Sequence, residues 1–267
     1  MAPHAVNLLR IGCAAVLAWL SVAAQAESLQ AARYLEPTSR YGHFALGRPH
    51  EYARIAATTD AGRQLDLQLP DDEVFEDLAP RLVRMAPGEP VEILAIVSRR
   101  HDGARLVLLQ QRGDRLVISA ETPPVGTPMR WLNPVGVADL DGDGRAEVAM
   151  VTTPHIGGVL RVFRREGPQL VEVARQSGFS NHVYGSTELG LSVPGVFRGG
   201  MGLFVPDVGR RHLRILRLQG ERLVDVGRCA LPDKVTGSIE VVSASELTIG
   251  LGSGRHTVRL DACSVVG

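Results

Sequence analysis

The densest chemistry in this chain sits in nine residues near its middle, Asp139-Leu140-Asp141-Gly142-Asp143-Gly144-Arg145-Ala146-Glu147. Carboxylates stand at the first, third, fifth and ninth places of the run. Alternate acidic side chains on a tightly turning backbone converge on one point, and Gly144 permits the sharp bend. The carbonyl of Arg145 adds a neutral oxygen. Hard oxygen donors in this number suit calcium better than a transition metal. An EF-hand begins the same way, but it needs a bidentate Glu at its twelfth place, where Met150 stands, and helices on both flanks. Residues 135–138 and 148–151 alternate as strands do, so the run is expected to be a turn between two strands.

A second set of reactive side chains lies in other polar connections: Arg99, Trp131, Asn133, His155, Asn181, His182 and Arg211. Glycoside chemistry needs two carboxylates facing each other across a cleft. Glu76, Asp77, Asp102, Glu188 and Asp207 are available for it, but no spacing selects a pair. Cys229 and Cys263 enclose 34 residues without metal-ligand or redox spacing. In an oxidising compartment such a pair forms one structural disulfide, and two buried thiols are the alternative.

The elements that must position these groups repeat. An apolar strand, a short polar break and an alternating strand recur five times. Leu65, Leu106, Leu160, Leu213 and Val258 mark the alternating strand, at spacings of 41, 54, 53 and 45 residues. Tight turns such as Arg112-Gly113-Asp114, Glu166-Gly167-Pro168 and Gln219-Gly220-Glu221 follow the middle three. This pattern predicts an all-β chain of four-stranded antiparallel units. Such units at this period are the blades of a β-propeller, with a β-sandwich as the alternative. The residues after position 26 divide into five blades of about 48 residues. A sixth, composite blade stays open, and the degenerate end repeats suggest termini that combine to close a ring.

At the acidic run the chain resembles the FG-GAP/VCBS family, the integrin-α-type propeller repeats, whose calcium loop has this pattern between two strands. The resemblance implies Asp139, Asp141, Asp143 and Glu147 as side-chain ligands and Arg145 as a backbone ligand. Glu147 departs from the Asp more usual at the ninth place. Neighbouring repeats have lost the acids: Arg84, Ala86 and Gly88 stand in one, Pro194, Val196 and Arg198 in another. One calcium ion is therefore expected, as a structural ion.

In an up-and-down blade the first and third connections share one end and the second and fourth the other. Arg99, Trp131, Asn133, His155, Asn181, His182 and Arg211 are thus expected on the face opposite the calcium loop. Integrin-type members of the family bind partners on that face, which implies a cup for a protein or saccharide. The runner-up is a propeller enzyme of the glycoside hydrolase or lyase kind with its site there.

Residues 1–26 read as a signal peptide: Arg10, an apolar run from Ile11 to Leu20, then Ala24-Gln25-Ala26. Residues 27–267 are then one exported domain, periplasmic or secreted, with no later stretch of membrane-spanning length. The 29 basic residues balance 29 acidic ones, which argues against a nucleic-acid partner, since phosphate neutralisation needs a basic surplus.

Overall fold

The computed structural model describes Met1 and residues 27–266; the expected signal peptide falls outside them. The fold is all-β, with strands over 59% of the chain and, among the described residues, one short 3-10 turn at Leu260–Ala262. Among the described residues no helix is long and apolar enough to cross a membrane.

The strands fall into five successive antiparallel groups. The first is β1 (Leu29–Thr38), β2 (Glu51–Thr59) and β3 (Gln64–Gln68). The second is β4 (Glu73–Phe75), β5 (Arg81–Val83), β6 (Glu92–Arg99), β7 (Gly103–Arg112) and β8 (Arg115–Glu121). The third is β9 (Leu132–Ala138), β10 (Glu147–Thr152), β11 (Gly158–Glu166) and β12 (Gln169–Phe179). The fourth is β13 (Val193–Phe197), β14 (Gly200–Pro206), β15 (His212–Gln219) and β16 (Arg222–Ala230). The fifth is β17 (Val235–Ser243), β18 (Glu246–Leu251) and β19 (Gly254–Arg259), after which β20 (Ser264–Val265) returns to the edge of β16. The five sequence markers lie on β3, β7, β11, β15 and β19, the third strand of every group except the second, where β7 is the fourth.

Strand alternation builds the core. Neighbouring residues of a strand point to opposite faces, so a sheet covered on both sides must be apolar at every position. In β6, Ile93, Ala95 and Val97 meet the first group while Leu94 and Ile96 meet the third. In β10, Val148 and Met150 face the second group, and Ala149 and Val151 face the fourth. In β15, Leu213 and Ile215 face the fifth group, and Leu216 and Leu218 the third. Four apolar layers therefore lie between consecutive groups. β19, with only Val258 buried, is polar and exposed, as an end sheet should be.

Hydrogen bonding connects the first three groups into one twelve-stranded sheet, and none of the sheets closes into a barrel. β4 makes the first link, pairing with β2 at Tyr52 and with β6 at Val97 to Arg99. A single parallel contact, Gln169 to Glu121, makes the second. The expected joining of the termini is not made among the described residues: β1 pairs with β2, and β20 with β16. The Cys229–Cys263 disulfide is formed, with 4.5 Å between Cα atoms, and fastens the chain end beside β16.

A candidate metal loop and the polar cluster opposite

The acidic run is the turn from β9 to β10, wound by its own side chains. Asp139 accepts the N–H of Gly142 through Oδ1 at 2.7 Å and that of Gly144 through Oδ2 at 3.0 Å. Asp141 accepts from the N–H of Asp143 at 3.2 Å, and Asp143 from that of Arg145 at 2.7 Å. Gly144 takes φ +89° here, in the left-handed region open to glycine. The N–H of Ala146 donates to the carbonyl of Met85 at 2.6 Å, tying the loop to the second group.

Carboxylate oxygens of Asp139, Asp141 and Glu147 lie within 4.8 Å of one another, close enough to share an ion; Asp143 is outside this trio. Glu147 opens β10 and is buried. Its Oε2 accepts the N–H of Leu140 at 3.0 Å, and its Oε1 accepts from Arg164 Nη2 at 2.9 Å and Nε at 3.1 Å. Arg164 also reaches Asp141 Oδ2 at 2.5 Å. Burial pushes the Glu147 carboxyl above its ordinary value, against the Leu140 and Arg164 hydrogen bonds. An all-oxygen donor set fits a hard cation. Arg164 is the feature that the spacing of the run did not reveal. It lies next to Phe163, which pairs with Val148 in the β10–β11 register, so the hairpin itself brings it to Glu147.

At the other end of β9 and β10, the turn 153–157 meets the connection 180–192 and the β1–β2 loop. Three N–H groups, of Gly42, His43 and Phe44, donate to the buried carboxylate of Glu51 at 3.4, 3.0 and 3.3 Å and shape that loop. Gly47 packs so closely that a Cβ there would lie 2.2 Å from the Gly185 carbonyl oxygen. His43 is thereby placed with Nδ1 2.6 Å from Glu76 Oε1, while Ser98 donates to Oε2. Burial raises the Glu76 carboxyl, opposed by the His43 and Ser98 hydrogen bonds.

Trp131, His155 and His182 come together at this end of the strands. Trp131 lies parallel to His155, within 7° and with ring centres 6.1 Å apart, and edge-on to His182 at 4.8 Å. Its indole N–H donates to the Glu76 carbonyl at 2.9 Å. His155 Nε2 and His182 Nδ1 are 2.7 Å apart, and His182 Nε2 donates to the Ser186 carbonyl at 2.9 Å. Desolvation lowers both imidazoles to about 4. Asn133 and Asn181 are fully buried, and each side-chain amide donates to the other's backbone carbonyl, at 3.0 and 3.1 Å. Trp131, Asn133, Asn181 and His182 thus serve the interior of this face. Its exposed large apolar side chains are Phe44, Ile156 and Tyr184, with Tyr184 edge-on to His155 at 5.3 Å and to His43 at 6.4 Å.

Arg99 and Arg211 have other partners. Arg99 bonds Glu73 Oε1 at 2.6 Å and lines, with Asp102, Arg105 and Pro123, a cavity of about 570 Å³ beside β8 and β12. Arg211 pairs with Asp233 at 3.7 Å. The carboxylates considered for glycoside chemistry each have other partners: Glu76 has His43, Asp77 has Arg81 and Tyr34, Asp102 has Arg99, Glu188 has the N–H of Gly190, and Asp207 has His212. Spacing did not point to His43, because only the folded β1–β2 loop brings it beside Glu76. No family model and no curated protein matches the sequence.

Proposed function

We propose that the chain is an exported, calcium-stabilised β-propeller of the FG-GAP/VCBS kind, a non-catalytic binding module for a protein or saccharide. The propeller reading draws its support from five consecutive antiparallel groups stacked through four apolar layers. The observation that carries the metal reading is the convergence of Asp139, Asp141 and Glu147 on one point at a turn between strands. Calcium there would be held by these three carboxylates and would supply charge neutralisation that stiffens the β9–β10 connection. Partner contact belongs to the opposite face, where Phe44, Ile156 and Tyr184 are exposed around half-buried His43 and His155.

Thermal unfolding with calcium and with chelator tests the reading. Calcium binding to the folded state alone raises the midpoint by mass action, at concentrations on the order of 10⁻⁴–10⁻³ M for an extracellular-type site. The rise is expected in the parent chain and absent in Asp141→Asn. Equal midpoints with and without calcium in the parent would remove the metal from the proposal.

A further inference from the structure

The seam between the second and third groups opens into the cavity of about 570 Å³, for a reason written in the sequence. β8 and β12 touch at one parallel contact, Gln169 to Glu121. Beyond it the chain runs Thr122-Pro123-Pro124, and proline has no N–H with which to extend a ladder. Val125 instead returns its N–H to the Ala104 carbonyl at 2.9 Å. The two strands therefore part, and the space between them falls within the roughly 300–1,000 Å³ of small-ligand sites. We propose that this cavity receives the free N-terminus of a peptide, its ammonium held by Glu121 and Asp102 and a backbone carbonyl held by Arg105. None of these residues belongs to the acidic loop or to the face of Phe44, Ile156 and Tyr184.

Five charged side chains meet in a row beside the cavity: Glu121, Arg105, Glu73, Arg99 and Asp102. Arg105 lines it and is only 6% exposed. Its Nε donates to Glu121 Oε2 at 2.8 Å and its Nη2 to Glu73 Oε2 at 3.2 Å, while Nη1 is buried with no partner. A buried donor without an acceptor is costly and uncommon, and a ligand oxygen satisfies it. Arg99 donates to Glu73 Oε1 through Nε at 2.9 Å and Nη2 at 2.6 Å, and its Nη1 reaches Asp102 Oδ2 at 3.4 Å. Two cations against three carboxylates leave the row with one negative charge. An anionic ligand is therefore opposed, and one ammonium balances the row. The ends of the row are open to it: Glu121 Oε1 and Asp102 Oδ1 accept no hydrogen bond among the described residues, and these side chains are 45% and 41% exposed. Glu172, also on the wall, is already paired with Arg161 and Arg175. Pro123, Pro124 and Pro168 supply apolar wall for a first side chain. A neutral polyol could satisfy Arg105 but would leave the negative charge unbalanced.

Titration of the full chain with alanyl-alaninamide, followed by amide proton–nitrogen NMR, tests the proposal. Saturable shifts are expected at Thr122, Gln169 and Leu170, which line the cavity. The acetylated peptide has lost the ammonium, and propylamine lacks the carbonyl; each should bind tenfold or more weakly. These comparisons need no variant. Glu121→Gln, at a side chain nearly half exposed, should weaken the dipeptide tenfold or more at an unchanged melting temperature. Glu240→Gln removes a carboxylate paired with Arg255 at 2.7 Å on the exposed surface, far from this seam in the chain, and should titrate like the parent. Equal affinity for the free and acetylated peptides would overturn the proposal. So would a folded Glu121→Gln chain with the parent's affinity, or shifts that never saturate or that lie outside the cavity. Methyl glycosides that move the same amides at lower concentration than the dipeptide would also overturn it, in favour of polyol recognition.

Discussion

Arg164 places a fixed positive charge against two of the three carboxylates that converge at the β9–β10 turn, at 2.5 Å from Asp141 and 2.9 Å from Glu147. Glu147 is buried at the start of β10, and a buried carboxylate without a cation is strongly destabilising. Arg164 thus neutralises the loop without an ion, and the same charge would oppose an incoming cation. Arg164→Gln separates the two effects. In chelator the variant should lose about 2–3 kcal/mol, below the full cost of breaking a buried pair because the guanidinium is partly solvated. With calcium, its rise in melting temperature should exceed that of the parent, since the competing charge is gone. A smaller rise than the parent's would show that Arg164 orients the carboxylates for the ion and does not compete with it.

Between elements, the third and fourth groups are tied at their outer strands by one polar contact chain. Arg214 on β15 donates to Asp225 on β16 at 2.8 and 2.5 Å, Gln176 on β12 donates to the same carboxylate at 3.0 Å, and the guanidinium lies 4.3 Å over the Phe179 ring. Desolvation alone would raise the Asp225 carboxyl, but the Arg214 and Gln176 hydrogen bonds outweigh it and hold the group below its ordinary value. A depressed carboxylate stabilises the fold above its unfolded value near 3.9, and that stability is lost as pH falls through the lower folded value. Asp225→Asn should therefore cost about 2 kcal/mol at neutral pH, as expected for a hydrogen-bonded charge. In urea melts followed downward in pH, the gap between parent and variant should begin to close below about pH 4. A gap that stays constant to pH 2 would assign the loss to packing. What the sequence made legible at this scale followed from periodicity: β3, β7, β11, β15 and β19 all bear the marker leucines or valine, because alternation survives in any two-faced strand. β4 was not legible. Glu73-Val74-Phe75 is too short to show a period, and its buried Glu73 is tolerable only because Arg99 and Arg105 reach it from elsewhere. Asn133, His155, Asn181 and His182 were expected only as members of one face; their pairwise contacts and the burial of Asn133, Asn181 and His182 were not legible, since both depend on how the 180–192 connection folds inward.

Across the whole molecule, each inner group is covered on both faces, whereas the fifth rests on the fourth through one apolar layer and leaves β19 exposed. No buried cluster joins the fifth group to the first among the described residues. The first group also has one apolar layer but is hydrogen-bonded into the twelve-stranded sheet, whereas β17, β18 and β19 pair only with one another, so these three strands are expected to open at the lowest free energy. The disulfide acts on that segment. Cys229 lies at the end of β16 and Cys263 just past β19, 34 residues apart, so the bond closes the fifth group into a loop whose two ends are held together at the fourth. A cross-link over that span limits the open chain by about 3–4 kcal/mol in the chain-entropy model. Cys263→Ser should consequently raise hydrogen exchange of β17, β18 and β19 amides by two to three orders of magnitude, the rate equivalent of that energy. Amides of β6, β7, β10 and β11 should keep their protection, since two layers cover them. Faster exchange spread evenly over all five groups would mean that the molecule opens as one cooperative unit. The end sheet would then be held by contacts stronger than its single apolar layer provides.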